Sequence, residues 1–190
     1  MTWGFRIDVP TEARGLNIEQ VTPFHGRVVT SGKETPCLKR VDGKPEWMKM
    51  RYGVTMNYGA NGKLIWNAKR ESLLSNEKWT RLIRQRVIIP VTAFVESRPE
   101  RVWHIGERGW IPGFADYDNY GGVVAITESC GDYGGSPIIL DQDAAIAWLD
   151  ASQWNALKTL DGNRVVFEEA DVFRHAALDS EAASRVPIAA

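Results

Sequence analysis

From Arg86 to Glu96 the chain runs Arg-Val-Ile-Ile-Pro-Val-Thr-Ala-Phe-Val-Glu, an apolar, β-branched stretch that ends on a carboxylate. The run predicts a strand. Pro90 inside it predicts an edge position, a bulge or a break between two strands. Lys49 to Met56 alternates polar and apolar residues, as a half-buried strand does, and Gly26 to Thr30 reads as a shorter one. Further strands are expected around 101–105, 109–115 and 121–128, separated by Gly- or Asp-rich turns, with an extended segment over Ser136 to Leu140. Residues 31–47 mix Gly, Pro, Lys and Asp and predict a surface loop, as does Asn57-Tyr58-Gly59-Ala60-Asn61-Gly62.

Two segments carry helical spacing. Between Glu71 and Arg86, residues Leu73, Leu74, Trp79, Leu82 and Ile83 fall near one face, with Ser75 or Asn76 as an internal start and Glu77 in a first turn. Arg81 and Arg84 fall off that stripe, towards solvent. From Asp141 to Leu160 a second helical stretch is expected, capped by Asp141 or Asp143 and broken near Asp150-Ala151-Ser152. Its expected buried side is Ala144, Ile146, Ala147, Trp148 and Leu149. Beyond Glu168, short elements and an Ala-rich tail that frays complete the chain. Strands outnumber helices without alternating regularly with them, so the expected class is α+β, a single domain over 1–190 built on antiparallel sheet.

Composition adds bounds. At 190 residues, 44% hydrophobic and 25% charged, the chain suits one well-filled core. No apolar run has the length of a membrane span, and the N-terminal residues lack the pattern of a signal peptide. Cys37 and Cys130 are too few for a disulfide framework and fit no zinc spacing. A cytoplasmic protein without metal or cofactor is expected. The net charge of −1 hides an asymmetry: residues 1–100 carry 17 Lys/Arg against 10 Asp/Glu, and residues 101–190 carry 6 against 14. Between Lys49 and Arg86, nine cations face only Glu71 and Glu77. Such a stretch suits a phosphate-binding surface, and equally the solvated faces of strands and a helix.

Three segments gather polar chemistry. Trp66-Asn67-Ala68-Lys69-Arg70-Glu71-Ser72 packs an aromatic, an amide, two cations and an acid into seven residues. Glu96, straight after an apolar run, is a candidate for partial desolvation, which raises a carboxyl pKa and suits a general acid or base. Tyr133-Gly134-Gly135-Ser136-Pro137 leads a polar loop into an apolar strand. Taken singly, Asn67 equally satisfies a turn, Glu96 equally ends a strand in water, and Gly134-Gly135 is a loop.

Taken in order, these segments resemble the SRAP family, the SOS-response-associated peptidase fold also known for sensing abasic sites in single-stranded DNA. Asn67-Ala68-Lys69-Arg70-Glu71-Ser72 is similar to the family's Asn-Ala-Arg-x-Glu-Thr, and Arg86 to Ser97 to its Arg-Cys-Leu-(Val/Ile)-Pro-x-x-Gly-Phe-x-Glu-Trp, with Glu96 on the glutamate. Tyr52 to Tyr58, Pro112-Gly113-Phe114-Ala115, Ile126-Thr127-Glu128, Ser136 to Leu140 and Trp148-Leu149 continue the series, so the resemblance runs to about residue 150. It implies an antiparallel sheet curled into a barrel-like core with a few flanking helices. The implied chemistry uses an N-terminal cysteine whose amine forms an imine with the abasic aldehyde and whose thiolate closes a thiazolidine. Asn, Glu and His assist.

Here the pattern departs. Thr2 stands where the family has its cysteine, Trp3-Gly4 replace the following Gly-Arg, and Tyr133 occupies the histidine's place. Asn67 and Glu96 remain as catalytic candidates, with Thr2 and Tyr133 as altered positions. A hydroxyl closes an oxazolidine that opens far more readily than a thiazolidine, and it needs an activating base and removal of Met1. Cys37 and Cys130 match no catalytic position, and His25, His104 and His175 have no motif partner.

Three readings follow. In the first, the chain recognises single-stranded or abasic DNA as a monomer without durable cross-linking. Trp66 then serves as a stacking platform, with Lys49, Arg51, Lys69, Arg70, Arg81, Arg84 and Arg86 as phosphate ligands. In the second it is an enzyme that forms a reversible imine, with Glu96 assisting strand elimination, or an SRAP-type autopeptidase. In the third the fold is a protein-interaction module whose contact surface is the acidic C-terminal half.

Overall fold

A computed structural model of the chain describes residues 3–7, 27–56, 62–97, 100–118, 121–129, 135–153, 155–162 and 167–170. The strands are β1 Trp3–Ile7, β2 Arg27–Val29, β3 Glu34–Val41, β4 Lys44–Arg51, β5 Val54–Met56, β6 Lys63–Ile65, β7 Asn67–Lys69, β8 Arg86–Ser97, β9 Glu100–Asp116, β10 Gly122–Glu128, β11 Ser136–Pro137 and β12 Phe167–Ala170. Three helices accompany them: α1 Glu77–Leu82, α2 Gln142–Asp150 and α3 Ala156–Thr159. Ten of these strands join one mostly antiparallel sheet curled into a half-barrel, with order β11-β10-β9-β8-β1-β2, and β5 and β6 form a separate hairpin. The class is α+β.

The spine is β8 paired with β9, in register from Arg86↔Phe114 to Ser97↔Glu100 with an irregularity between Val91 and Ala93. Its apolar run is continuous because both faces of the sheet are covered. Ile88, Trp110, Phe114, Val124 and Ile126 point to a core shared with the helices. Val87, Ile89, Ile111, Val123 and Ala125 point to a second core inside the half-barrel, with Phe5, Tyr52 and Phe94. Pro90 is buried in this central strand, not at an edge. On the side away from β9, β3 meets β8 at Ile88 and β1 meets it from Ala93 to Glu96. Pro90 lies in the gap between these two neighbours, where no strand asks it for an N–H.

Several expectations change. Residues 34–51 are a β-hairpin rather than a loop, turned at Asp42 and Gly43 with φ of 50° and 75°. That Asp-Gly pair is the strong hairpin signal, masked in the sequence by Pro36 and Pro45. The strands expected at 101–105 and 109–115 are one continuous β9. The first helix is shorter than its pattern: a 3-10 turn covers Arg70–Ser72, and α1 starts after Asn76, whose side chain accepts from the Lys78 N–H. Leu74 is 71% exposed instead of buried. In α2, capped by Asp141, the buried residues are Ala144, Ala145, Trp148 and Leu149, and Ile146 and Ala147 face outward. The break before α3 is where the sequence placed it. No described helix is long and apolar enough to cross a membrane.

Gly53, with φ of 115°, crosses beside Gly122 so closely that a Cβ on Gly122 would lie 2.2 Å from the Gly53 carbonyl oxygen. This approach lets Tyr52 bridge Val123 in parallel and brings the β4–β5 segment onto β10.

Candidate functional site

β7 lies parallel to β10, with Asn67 opposite Ala125, Ala68 opposite Ile126 and Lys69 opposite Thr127. A parallel pair needs a long crossover, and here residues 70–121 supply it with α1 and the β8–β9 hairpin. Ala68 is buried towards the helix-side core. The half-buried Asn67 donates from Nδ2 to Thr127 Oγ1 at 3.3 Å, and Thr127 is fully buried. Trp66 accepts from the Ala125 N–H through its carbonyl, and its ring packs half-buried against the core inside the half-barrel.

The third motif arrives at the same place. β11 pairs with the end of β10, Ser136 opposite Glu128 and Pro137 opposite Thr127. Gly135, with φ of 122°, passes so near that a Cβ there would sit 3.3 Å from Thr127 Oγ1 and 3.2 Å from the Glu128 carbonyl. Glu71 secures this end of β10 by accepting from the Ser129 N–H at 2.9 Å, a bond that holds its carboxyl below the ordinary range. Segments around residues 67, 127 and 135 thus meet at one corner of the sheet. Among the described residues Asn67 has no other side-chain partner, which leaves its amide oxygen and a second N–H for a bound molecule. Thr127, which only the motif series pointed to, belongs to the corner as much as Asn67 does.

Glu96 lies on β8 between Trp3 of β1 and Arg101 of β9, so β1 enters the sheet beside it. In the sheet order β9 stands between β8 and β10, which places Glu96 and Asn67 on different strands of the half-barrel. The Glu96 side chain, Thr2, Tyr133, Cys130, His25 and His175 lie outside the described residues, as does the His104 side chain.

The expected phosphate ligands have diverse surroundings. Lys69 is exposed and lies beside Glu71. Arg70 pairs with Asp161 at 2.7 Å, and Arg51 donates to Thr55 Oγ1 at 2.9 Å. Arg81 is exposed, and the exposed Arg84 donates from Nε to Gln153 Oε1 at 2.6 Å. Arg86 has a different occupation. Its guanidinium donates to the carbonyls of Trp148 at 2.8 Å, Ile83 at 2.7 Å and Ala151, and stands 5.8 Å over the Trp148 ring. It serves the carbonyl end of α2 from within the fold, and burial pulls its pKa down. Cys37 is fully buried, and burial pushes its thiol up to about 12, which makes it an unreactive apolar residue. Among the described residues no group of His, Cys, Asp and Glu is placed to hold a metal ion.

Fold and site together define an α+β domain with an antiparallel half-barrel and a polar corner built from three sequence-distant segments. No protein-family model matches the chain, and no curated protein matches it. Among solved structures it is similar to a phage-related protein from Bordetella bronchiseptica, with a TM-score of 0.68 and 16% sequence identity over 89% of this chain and 93% of that one. At that identity the likeness is one of fold.

Proposed function

We propose that this chain is a divergent SRAP-like protein that recognises single-stranded or abasic-site-containing DNA and has lost durable thiazolidine cross-linking, because Thr2 stands in place of the cysteine. One observation carries the reading: the parallel register of β7 on β10 that brings the Asn67 amide to Thr127 Oγ1, beside the strand following Tyr133. These segments match the family motifs in order, and in the fold they form one corner. Asn67 would hold a sugar or phosphate oxygen there. Lys69 and Arg70 supply cations that solvent or an exchangeable partner now satisfies, and DNA phosphates would replace those partners; the half-buried Arg51, bonded to Thr55 with its Nε buried and without a partner among the described residues, would join them. Arg86 is excluded from this set by its carbonyl ligands. The ring of Trp66, already half-buried, offers a base only its outer part for stacking.

Gel shift and intact mass with single-stranded DNA carrying one abasic site, with and without borohydride, test the reading. Non-covalent binding that Asn67→Ala weakens, with no adduct under either condition, is expected. Absence of any binding at low salt would refute it and favour a protein-interaction module.

The pairing of Trp3 with Glu96 favours a second reading, in which the N-terminal amine forms a reversible imine beside that carboxylate. In this step the amine nitrogen attacks the aldehyde carbon and water leaves; borohydride reduces the C=N bond to a stable amine. A borohydride-dependent mass adduct would establish it.

A further inference from the structure

Against the outer side of α1 lies an open groove of about 420 Å³, lined by Leu74, Glu77, Thr80, Arg81, Ile83, Arg84 and Gln153. It shares no residue with the Asn67 corner. From its chemistry we infer that it binds an acidic peptide segment of a partner protein, one aliphatic side chain flanked by carboxylates.

The apolar contribution comes from Leu74 and Ile83. Leu74 is 71% exposed, in a chain whose helical pattern placed it with the core, and Ile83 lies beneath at 7%. Thr80 offers the floor no donor, since its hydroxyl proton is shared between the carbonyls of Leu73 and Asn76, and only its acceptor lone pairs remain. The volume suits a pair of side chains rather than an extended ligand.

Two arginines supply the charge. Arg81 forms no ion pair or side-chain hydrogen bond with any described residue. The Arg84 guanidinium is fixed by its 2.6 Å bond from Nε to Gln153, and among the described residues both terminal amino groups remain for a carboxylate fork. Ordering these groups in advance reduces what binding must immobilise. Glu77, one helical turn before Arg81, repels carboxylates at its own end and thereby orients the peptide's acidic residues towards the arginines.

A nucleic-acid strand is the competing occupant for paired arginines. It suits this groove less well, because the exposed aliphatic Leu74 gives a phosphate nothing, and the described lining residues include no aromatic ring on which a base could stack. Carboxylates close to an aliphatic side chain satisfy both parts of the surface together.

Fluorescence anisotropy of the full chain with the labelled peptide Asp-Asp-Glu-Leu-Asp-Leu-Asp, beside labelled oligo(dT), tests the inference. Saturable peptide binding is expected, weakened at least tenfold by Arg81→Glu and by Leu74→Asp, and lost when both peptide leucines become serine. Both positions are exposed, and circular dichroism confirms that each variant is folded. Absence of saturable peptide binding would overturn the inference, as would peptide binding that neither variant weakens. Oligo(dT) binding that both variants abolish, without peptide binding, would assign the groove to nucleic acid instead. Since the Asn67 corner lies elsewhere, Asn67→Ala is expected to leave peptide affinity within twofold, which separates this inference from the DNA reading.

Discussion

Arg86 gives the sharpest test of how the fold is held together. Replacing it with Met keeps the aliphatic stem and removes every donor. The carbonyls of Trp148, Ile83 and Ala151 then lose their partner, together with a weaker contact to Leu149 at 3.4 Å. A hydrogen bond from a charged donor is worth about 1.5–3 kcal/mol, and a carbonyl stranded away from water costs about 1–3. These contributions share one side chain and do not add, and water reaches the half-buried end, so about 3–4 kcal/mol is expected for Arg86→Met. At about 2–4 °C per kcal/mol for a chain of this size, the melting temperature falls by about 6–16 °C. Arg86→Lys should recover part of the loss, because one ammonium reaches only some of carbonyls that lie in several directions. Urea unfolding followed by far-UV circular dichroism and by tryptophan fluorescence measures both variants, provided the two signals coincide and m is unchanged. A loss under about 1 kcal/mol for Arg86→Met, or equal losses for Met and Lys, would refute the assignment of Arg86 as the anchor of α2.

Asp116 is 2% exposed, with Lys78 Nζ at 3.6 Å from Oδ2 and 3.2 Å from the Thr55 carbonyl. Lys78→Met strands that carboxylate and should destabilise by about 3 kcal/mol in urea titration, with Lys78→Met/Asp116→Asn recovering over half. Gly122→Ala forces a Cβ against the Gly53 carbonyl and should lower stability by about 3 kcal/mol or more, read from the urea midpoint. In a Cys130→Ser background, Cys37 should resist thiol reagents at pH 8 in the native chain and react promptly once unfolded. Its folded pKa of about 12 lies above the ordinary 9.0, so the folded state holds its proton longer, and stability should fall as pH rises from about 9 towards 12. If Lys69, Arg51 and Arg70 meet phosphates, the log of the affinity for single-stranded DNA should fall against log salt with a slope near −2, and a flat response would remove them.

The sheet was largely legible in the sequence, because strands buried on both faces announce themselves as β-branched runs, as Val87 to Val95 and Val123 to Ile126 do. The β3–β4 hairpin was not, since Pro36 and Pro45 look like loop residues until Asp42-Gly43 is read as a turn. Helical periodicity misled at Leu74 because the chain leaves helical geometry after Ser72 and re-enters it only at Glu77, so spacing no longer fixes which side is buried. At the site, the sequence supplied Asn67 and the motif that contains Thr127, but their meeting depends on a parallel pairing across some fifty intervening residues, to which local patterns are blind. Charge patterning also failed at Arg86, whose place in a cation-rich stretch conceals that its partners are backbone carbonyls.

The pairing of β1 with β8 has a temporal consequence. The β8–β9 hairpin closes over a short stretch of chain, whereas Trp3 must meet Glu96 across roughly ninety residues, and the entropy of closing that loop is recovered only once β8 is in place. During synthesis β1 can pair early with β2, some twenty residues on, while its other edge waits for β8, translated much later. In the finished protein β2, three residues long and at the end of the sheet path, is expected to exchange its amide protons sooner than β1, which it covers, while β8 and β9 open only when the whole fold does.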